Sequence, residues 1–343
     1  DIFVFLCPAG NSKNDYPPNV KVVPIKNDKG LTAKWLFIHQ AKLRLLVRKF
    51  KPDLFFSVAV PAIYLPVSQA LILPEVNFVN YTNSSNKQLS RIYKKKLPRF
   101  LNKARYVLVQ SDTSKSTLLK NFDICTDRVT VMSPGIDGFV AVIDAADKER
   151  IKKRYADSNE YFVFRGATGP SSQVLNLLKA FSAFKKRQKS KMQLIIMDKH
   201  ANENTEFIKS LESFRFKKDV KILTLLSDKE KHLLFASAYA AVYLEDQVEV
   251  GSPELYSMAS GIPVITYQTP LNSEIFGDAV LYAASKNVTE LAERMTKIYH
   301  DETMRKVLID HGQCLAKKFT WNNTLSPICR ILDDVQDAAA KNR

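Results

Sequence analysis

Short apolar runs rich in β-branched and aromatic residues alternate along the chain with stretches in which apolar residues recur at helical spacing. The short runs are typical of buried strands and the longer stretches of amphipathic helices, and their alternation predicts parallel sheets with helices on both faces. The predicted strands are Ile2–Leu6, Val20–Val23, Leu54–Val58, Val76–Val79, Tyr106–Val109, Val129–Met132, Tyr161–Phe164, Leu194–Met197, Val220–Leu223, Ala240–Leu244 and Pro263–Tyr267. The predicted helices include Trp35–Phe50, Ser114–Phe122, Val174–Lys189, Asp228–Ser237, Ser252–Ala259 and Asn322–Asp337.

A charged interval divides this series of strands and helices in two. Residues 138–155 are polar and end in a basic helical pattern, which is typical of a domain boundary. We therefore expect an α/β protein with two Rossmann-like domains of parallel sheet that face a cleft. Their predicted limits are residues 1–140 and 141–320, and a C-terminal return helix is expected within 321–343.

The composition is that of an ordinary folded protein, with 343 residues of which 45% are hydrophobic and 25% charged. It excludes collagen-like, disordered and disulfide-scaffold classes. No apolar stretch reaches the roughly 18 residues of a membrane span, and no signal peptide is recognisable, so we expect a cytoplasmic protein. The four cysteines contain no C-x-x-C pair, and the five histidines are not clustered with them at ligand spacing, which predicts no metal and no cofactor.

Basic residues are concentrated in the first part of the chain, where residues 1–143 hold 21 Lys and Arg against 9 Asp and Glu. The densest segment is 91–105, in which apolar residues are interleaved with Lys94, Lys95, Lys96 and Arg99. This pattern fits either the solvated face of a helix or a helix lying on an anionic membrane surface, with the protein peripheral at the inner face of the membrane. Binding of nucleic acid is a remote alternative, because no recognition motif accompanies the charge.

The second half carries motifs of a known family. Residues 251–265, GSPELYSMASGIPVI, follow the pattern G-x-P-x-L-E-A-M-A-C-G-x-P-V-I, and residues 273–282, SEIFGDAVLY, are similar to P-E-V-x-G-D-A-A-L-L. Residues 161–166, 176–181 and 319–321 also fit. The chain therefore resembles the retaining glycosyltransferases of family 4, whose fold is the two-domain GT-B fold. The family's opening strand and glycine loop have no counterpart in the sequence, so the N-terminal domain is expected to lack its first strand.

The resemblance implies transfer of a hexosyl group from a nucleotide-diphosphate sugar to a glycan or lipid-linked acceptor, as in polysaccharide biosynthesis. It implies that the nucleotide binds to the second domain and the acceptor to the first, without a bound metal. The candidate nucleotide-sugar contacts that it suggests are Arg165, Gly166, Ser172, Gln173, Glu249, Leu255 and Tyr256.

Several positions depart from the family pattern. The paired glutamates of the family fall on Val248 and Tyr256, and the lysine that binds phosphate falls on Ser172. Glu249 would replace the first glutamate if the loop held a one-residue bulge, and Arg165 would replace the lysine. The family's His-Asp pair is replaced by asparagine and tyrosine at 80–81. The catalytic residues are thus unassigned, and the alternative is an inactive GT-B homologue that acts as a binding scaffold or pairs with a protein partner.

Glycine is scarce, at ten residues or about 3% of the chain against a usual value of about 7%. Two family glycines at strand ends are replaced by Asp198 and Thr224, which places an acid beside the expected diphosphate. Glu274 keeps the glutamate of the P-E-V motif, and it could serve either function or the start of a helix.

Overall fold

The computed structural model describes residues 2–8, 16–25, 33–58, 65–73, 97–136, 143–169, 173–244 and 252–341. The strands are β1 (Phe3–Pro8), β2 (Val20–Ile25), β3 (Leu54–Val58), β4 (Ser68–Leu73), β5 (Tyr106–Val109), β6 (Val129–Val131), β7 (Tyr161–Arg165), β8 (Gln193–Met197), β9 (Val220–Leu223), β10 (Ala240–Tyr243), β11 (Val264–Tyr267) and β12 (Leu281–Ala283). The helices are α1 (Ala33–Phe50), α2 (97–103), α3 (Asp112–Asn121), α4 (Ala145–Tyr155), α5 (Val174–Gln188), α6 (Thr205–Glu212), α7 (Asp228–Ala236), α8 (Pro253–Ala259), α9 (Pro270–Phe276), α10 (Val288–His300), α11 (Glu302–Ala316) and α12 (Trp321–Lys341).

All strand pairs in the described chain are parallel. β1 pairs with β2, the order β3-β4-β5-β6 makes a four-stranded sheet, and the order β12-β11-β10-β7-β8-β9 makes a six-stranded sheet. One compact unit comprises Asp1–Asp53 with Ile63–Val67, and the other comprises Leu54–Ala62 with Ser68–Arg343, so both larger sheets belong to the second unit. The predicted α/β class with parallel sheets is confirmed, and the domain limits at 140 and 320 stay a prediction.

The six-stranded sheet is buried on both faces. Along β7, Phe162 and Phe164 point into one apolar cluster, whereas Tyr161 and Val163 point into another. This alternation is expected of a parallel sheet that is sandwiched between helices. On one face α5 supplies Val174, Leu177, Leu178, Phe181 and Phe184, which recur at helical spacing and are all buried.

The four-stranded sheet is covered differently on its two faces. Val107 and Val109 of β5 face a cluster that includes residues from α2 and α3, the helices on either side of β5 in the chain. Leu108, between them, faces a smaller cluster that is completed by Ile331 and Ile328 of α12. The helix predicted at Asn322–Asp337 is therefore the cover of this sheet.

Two contacts join the layers of the second unit. Where the chain crosses from one sheet to the next, the Ile136 amide donates to the carbonyl of Phe319 at 3.0 Å. At the adjoining Gly135, a Cβ would lie 2.6 Å from the Thr324 hydroxyl oxygen, so only glycine permits α12 to approach this closely. The second contact involves Glu274, whose two carboxylate oxygens accept from the amides of Asp112 and Thr113, each at 2.7 Å. Glu274 therefore caps α3, not the start of its own helix α9.

Two strands were not anticipated from the sequence. β4 begins with the polar pair Ser68-Gln69 before its four apolar residues, and β12 has only three residues. The strand predicted at Val76–Val79 lies outside the described residues. The other predicted strands are present, with ends that differ by at most two residues.

Candidate functional site

The six-stranded sheet has a cleft at the carboxyl ends of its strands. The cleft measures about 870 Å³ and is lined by the residues that end or follow β7, β8, β9 and β10 and by the first residues of α8. The strand order reverses between β7 and β10, because β8 and β9 lie to one side of β7 and β10 to β12 lie to the other. Ligands of open parallel sheets bind at such a reversal point.

Positive charge reaches the cleft from three places. Arg165 ends β7, Lys199 follows β8, and Lys231 lies on α7. Lys231 forms an ion pair with Asp228, with Nζ and Oδ1 2.7 Å apart. Arg165 and Lys199 are exposed, and within the described residues neither has an ion-pair partner. These two cations are therefore the ones available to an anionic ligand.

Asp198, which occupies a family glycine position, organises the loops of the cleft. Its carboxylate accepts from the Thr168 amide at 2.8 Å, from the Thr168 hydroxyl at 2.7 Å and from the His200 amide at 3.0 Å. Burial alone would raise the pKa of Asp198, but the hydrogen bonds from His200 and Thr168 outweigh it, and the pKa lies below its usual value. The Asp198 carboxylate thus links the loop after β7 to the turn after β8. Its three hydrogen-bond donors reduce the repulsion that its negative charge would exert on an anionic ligand.

A second acid, Glu254, lines the cleft from the first turn of α8, although only 3% of it is exposed. Its carboxylate accepts from the Ser252 hydroxyl at 2.9 Å, and the positive end of the helix dipole favours an acid at this position. Beneath it, the Tyr243 hydroxyl donates to the Pro253 carbonyl at 3.0 Å. Burial, and then the nearby charge of Glu254, raises the pKa of Tyr243, so this phenol stays neutral.

The structure separates the residues suggested by the family resemblance. Arg165 and Gly166 line the cleft, whereas Leu255 is fully buried in the core behind it. Gln173 precedes α5, and its side-chain oxygen accepts from Asn176 at 2.7 Å. Tyr256 is half-buried and does not line the cleft. Ser172 and Glu249 lie outside the described residues.

Close packing against a buried ring requires glycine at position 166. A Cβ at this position would lie 2.6 Å from the ring of Phe164, which is buried in the core of the sheet. The ring and the loop could not both stay in place with a larger residue, so glycine lets the loop after β7 turn away beside Arg165.

The basic segment of the first part of the chain is described only from residue 97 onward. On α2, Leu97, Phe100 and Leu101 are buried and Arg99 is exposed. Lys94, Lys95 and Lys96 lie outside the described residues. The apolar side chains of α2 thus pack into the protein, and Arg99 lies on its solvated side.

The described ranges lack two kinds of feature. They hold no group of three or more His, Cys, Asp or Glu side chains arranged to bind a metal ion. None of the helices in these ranges is long and apolar enough to span a membrane.

Family models match both parts of the chain. The model "Glycosyl transferases group 1" matches residues 146–313, and the model "Glycosyltransferase Family 4" matches residues 1–138. O-antigen chain mannosyltransferase B of Escherichia coli is 22% identical over 297 residues, which cover 85% of this chain and 77% of the relative.

Solved structures show the same fold at low sequence identity. Sucrose-phosphate synthase from Thermosynechococcus elongatus superposes with a TM-score of 0.78 at 14% identity, covering 98% of this chain and 89% of that chain. Anabaena Alr3699/HepE in complex with UDP and glucose superposes with a TM-score of 0.73 at 13% identity, covering 92% and 86%. The fold and its cleft define a glycosyltransferase-like protein of the GT-B class. The two family models match successive parts of the sequence, so the chain resembles the family 4 glycosyltransferases along most of its length.

Proposed function

We propose that this protein transfers a hexosyl group from a nucleoside-diphosphate sugar to a glycan or lipid-linked acceptor. The observation that carries the proposal is the cleft at the reversal point of the six-stranded sheet, where Arg165 and Lys199 present positive charge without ion-pair partners among the described residues. Two relatives support this substrate class, since one is a mannosyltransferase of O-antigen chains and the other was solved with UDP and glucose.

The diphosphate would bind between the ends of β7 and β8. An arginine there offers a planar pair of donors that matches phosphate oxygens, and Lys199 adds a point charge from the neighbouring strand end. This arrangement replaces the phosphate-binding lysine that the family carries at position 172. Negative charge grows on the diphosphate as its bond to the sugar breaks, so cations held at this edge would lower the barrier to transfer.

The sugar and the nucleobase would contact other walls of the same cleft. The Glu254 carboxylate can accept hydrogen bonds from sugar hydroxyls, which is the role that carboxylates play in the family. Leu225, which is 86% exposed in the loop after β9, offers an apolar surface that a base would cover.

Calorimetric titration with UDP-, GDP- and ADP-sugars tests the proposal. We expect one nucleotide class to bind at micromolar level, and Arg165→Ala to weaken its binding by about 10- to 100-fold, because a hydrogen bond to a charged group contributes about 1.5–3 kcal/mol. Lys306→Ala, an exposed lysine on α11, is the matched control and should leave binding unchanged.

The outcomes separate the two functions considered. If no sugar nucleotide bound in any class, the transferase proposal would be wrong. Mass spectrometry of the products measures transfer. If the sugar nucleotide bound but no acceptor received the sugar, the binding scaffold that pairs with a protein partner would be favoured.

Peripheral attachment to an anionic membrane at the inner face is a further part of the proposal. It rests on the charge of the segment with Lys94, Lys95, Lys96 and Arg99, each of which contributes about 1 kcal/mol near such a surface. Sedimentation with anionic liposomes should show salt-sensitive binding that Lys94/Lys95/Lys96→Ala abolishes. Binding that is equal in the variant would contradict this assignment.

A further inference from the structure

A second concave site lies at the amino ends of the strands of the six-stranded sheet, opposite the cleft. Its volume is about 630 Å³, and it is formed where the chain enters β7, β8 and β9, whereas the cleft lies where these strands end. We call it the basic pocket and define it by the five cations that line it, Lys185, Lys186, Lys189, Lys191 and Arg215. Nothing in the transfer reaction uses this edge of the sheet.

The charge of the basic pocket is poorly balanced. Asp219 is the one acid among its lining residues, and it is paired with Lys185, with Oδ2 and Nζ 3.0 Å apart. Lys185 is only 5% exposed, and its ammonium also donates to the carbonyls of Ser190 and Met192. The Lys185–Asp219 pair is therefore a satisfied part of the wall, and it leaves no acid for the other cations.

Four cations remain exposed around the opening. Within the described residues, Lys186, Lys189, Lys191 and Arg215 have no hydrogen-bonded side-chain partner and no ion pair. The Arg215 guanidinium lies over the ring of Phe216, 5.6 Å from its centroid, which orients it at the rim. Like charges gathered in a concave surface raise the local positive potential, which a bound anion would relieve.

The end of α5 accounts for only part of this cluster. Lysines in the last turn of a helix are favoured by its dipole, which explains Lys185 and Lys186. Lys191 lies beyond the helix, just before β8, and Arg215 comes from the loop between α6 and β9. Two separate segments, residues 185–191 and the loop that holds Arg215, thus bring cations to one concavity, which a helix terminus alone does not require.

We propose that the basic pocket binds a phosphate-bearing anion with at least two negative charges, such as a diphosphate or a phosphorylated head group. Its volume is that of a small-molecule site, and Lys and Arg side chains are the usual partners of phosphate oxygens. Four unpaired cations match a multiply charged ligand better than a single monoanion. This site is separate from the donor cleft, so its existence does not depend on the proposed transferase function.

Titration calorimetry with inorganic pyrophosphate tests the proposal. The full chain carries Arg165→Ala and Lys199→Ala in every sample, so that the cleft at the carboxyl ends of the strands does not contribute to pyrophosphate binding. The pocket variant adds Lys186/Lys191/Arg215→Ala, and the control adds Lys120/Lys306/Lys317→Ala, which removes the same charge from exposed sites elsewhere. We expect binding at least about tenfold weaker in the pocket variant and nearly unchanged in the control.

Circular dichroism and thermal unfolding establish that both variants are folded. Equal affinity in the pocket variant and its parent would overturn the proposal. An equal loss in pocket and control variants would overturn it as well, because it would mean that only the net charge of the protein attracts the anion.

Vesicles then identify the source of the phosphate. The probes are phosphatidylcholine vesicles with and without phosphatidylglycerol. If the pocket variant loses sedimentation with the anionic vesicles relative to the control, and pyrophosphate displaces the parent from them, a lipid head group is the source. If vesicle binding is equal in the two variants while pyrophosphate binding differs, the ligand is a free phosphorylated compound.

Discussion

The six-stranded and the four-stranded sheets follow the same parallel plan of alternating strands and helices, yet they obtain their cores in different ways. Both faces of the six-stranded sheet are covered by clusters whose buried residues all come from 151–316. The four-stranded sheet covers one face with residues close to it in sequence. Its other face is completed by Ile331, which belongs to α12.

This difference shows that the two sheets depend to different degrees on distant parts of the chain for their cores. The six-stranded sheet is self-contained, and the candidate donor site lies at its edge. The four-stranded sheet depends on a helix that the chain makes only after it has completed the other sheet. Substitutions in the core of the six-stranded sheet should therefore affect the whole second unit, whereas substitutions in α12 should affect the four-stranded sheet first.

The largest effect is expected for Phe181→Ala. The Phe181 ring is fully buried in the six-stranded sheet's core and stacks on Phe184, with centroids 6.2 Å apart. Its removal should lower the free energy of unfolding by about 3–5 kcal/mol, as measured by urea denaturation. Lys179→Ala, on the exposed side of the same helix, is the control and should cost less than about 0.5 kcal/mol. Similar values for the two variants would contradict the assigned core.

Ile331→Ala tests the dependence of the four-stranded sheet on α12. The side chain is 4% exposed, and its loss should cost about 2–4 kcal/mol. Hydrogen exchange should quicken at the amide of Leu108 in the four-stranded sheet and stay slow at Val242 in the six-stranded sheet. Leu325→Ala, at an exposed position of α12, should leave both rates unchanged. If both amides exchanged faster to the same degree, the two cores would be one cooperative unit.

Glu274→Gln tests the contact between the two layers. The amide keeps the shape of the side chain but loses the charge and one of the two acceptor oxygens that bind the amides of Asp112 and Thr113. We expect a cost of about 1 kcal/mol and faster exchange of these two amides. Glu293→Gln, on the exposed side of α10, is the matched control. Unchanged protection of both amides would show that the carboxylate does not hold α3.

The smallest expected effect is a dependence of stability on pH in the acidic range. Hydrogen bonds from the Ser227 amide and hydroxyl, and then from Tyr155, lower the pKa of Glu230 to about 2, from 4.5. Its stabilising contribution is therefore complete above about pH 4.5 and is lost as the pH falls toward 2. Glu230→Gln should lower the unfolding temperature at pH 6 and have little effect at pH 2. A difference that stayed constant with pH, or one equal to that of the exposed Glu206→Gln, would contradict this.

The sequence was sufficient for most of the fold. Continuous apolar runs such as those of β7 and β10 predict buried strands because parallel sheets need apolar residues on both faces. β4 was missed although residues 70–73 are all apolar; what the sequence could not show is that the polar Gln69 beside them is buried too, because its burial depends on tertiary surroundings. α12 was expected as a helix, but its periodicity cannot state which sheet it covers.

Less of the site could be predicted. Arg165 was suggested because it ends a recognisable strand beside Gly166; it lines the cleft, and its binding of phosphate stays a prediction. Asp198 was expected beside the diphosphate, but its hydrogen bonds to Thr168 could not be predicted, because Thr168 follows another strand and only the folded sheet brings the two together. Glu254 was passed over in favour of Tyr256, since helical periodicity gives the relative direction of side chains but not which direction faces a cleft.

The position of α12 has a consequence for synthesis on the ribosome. At about 5–20 residues per second, roughly 15 to 55 seconds pass between the appearance of β3 and that of Ile331. Throughout that interval Ala70 and Leu108 have no partner from α12, and the nascent four-stranded sheet presents an uncovered apolar face. Such a face is what chaperones bind, so slowing translation before α12 should lengthen chaperone occupancy of the nascent chain.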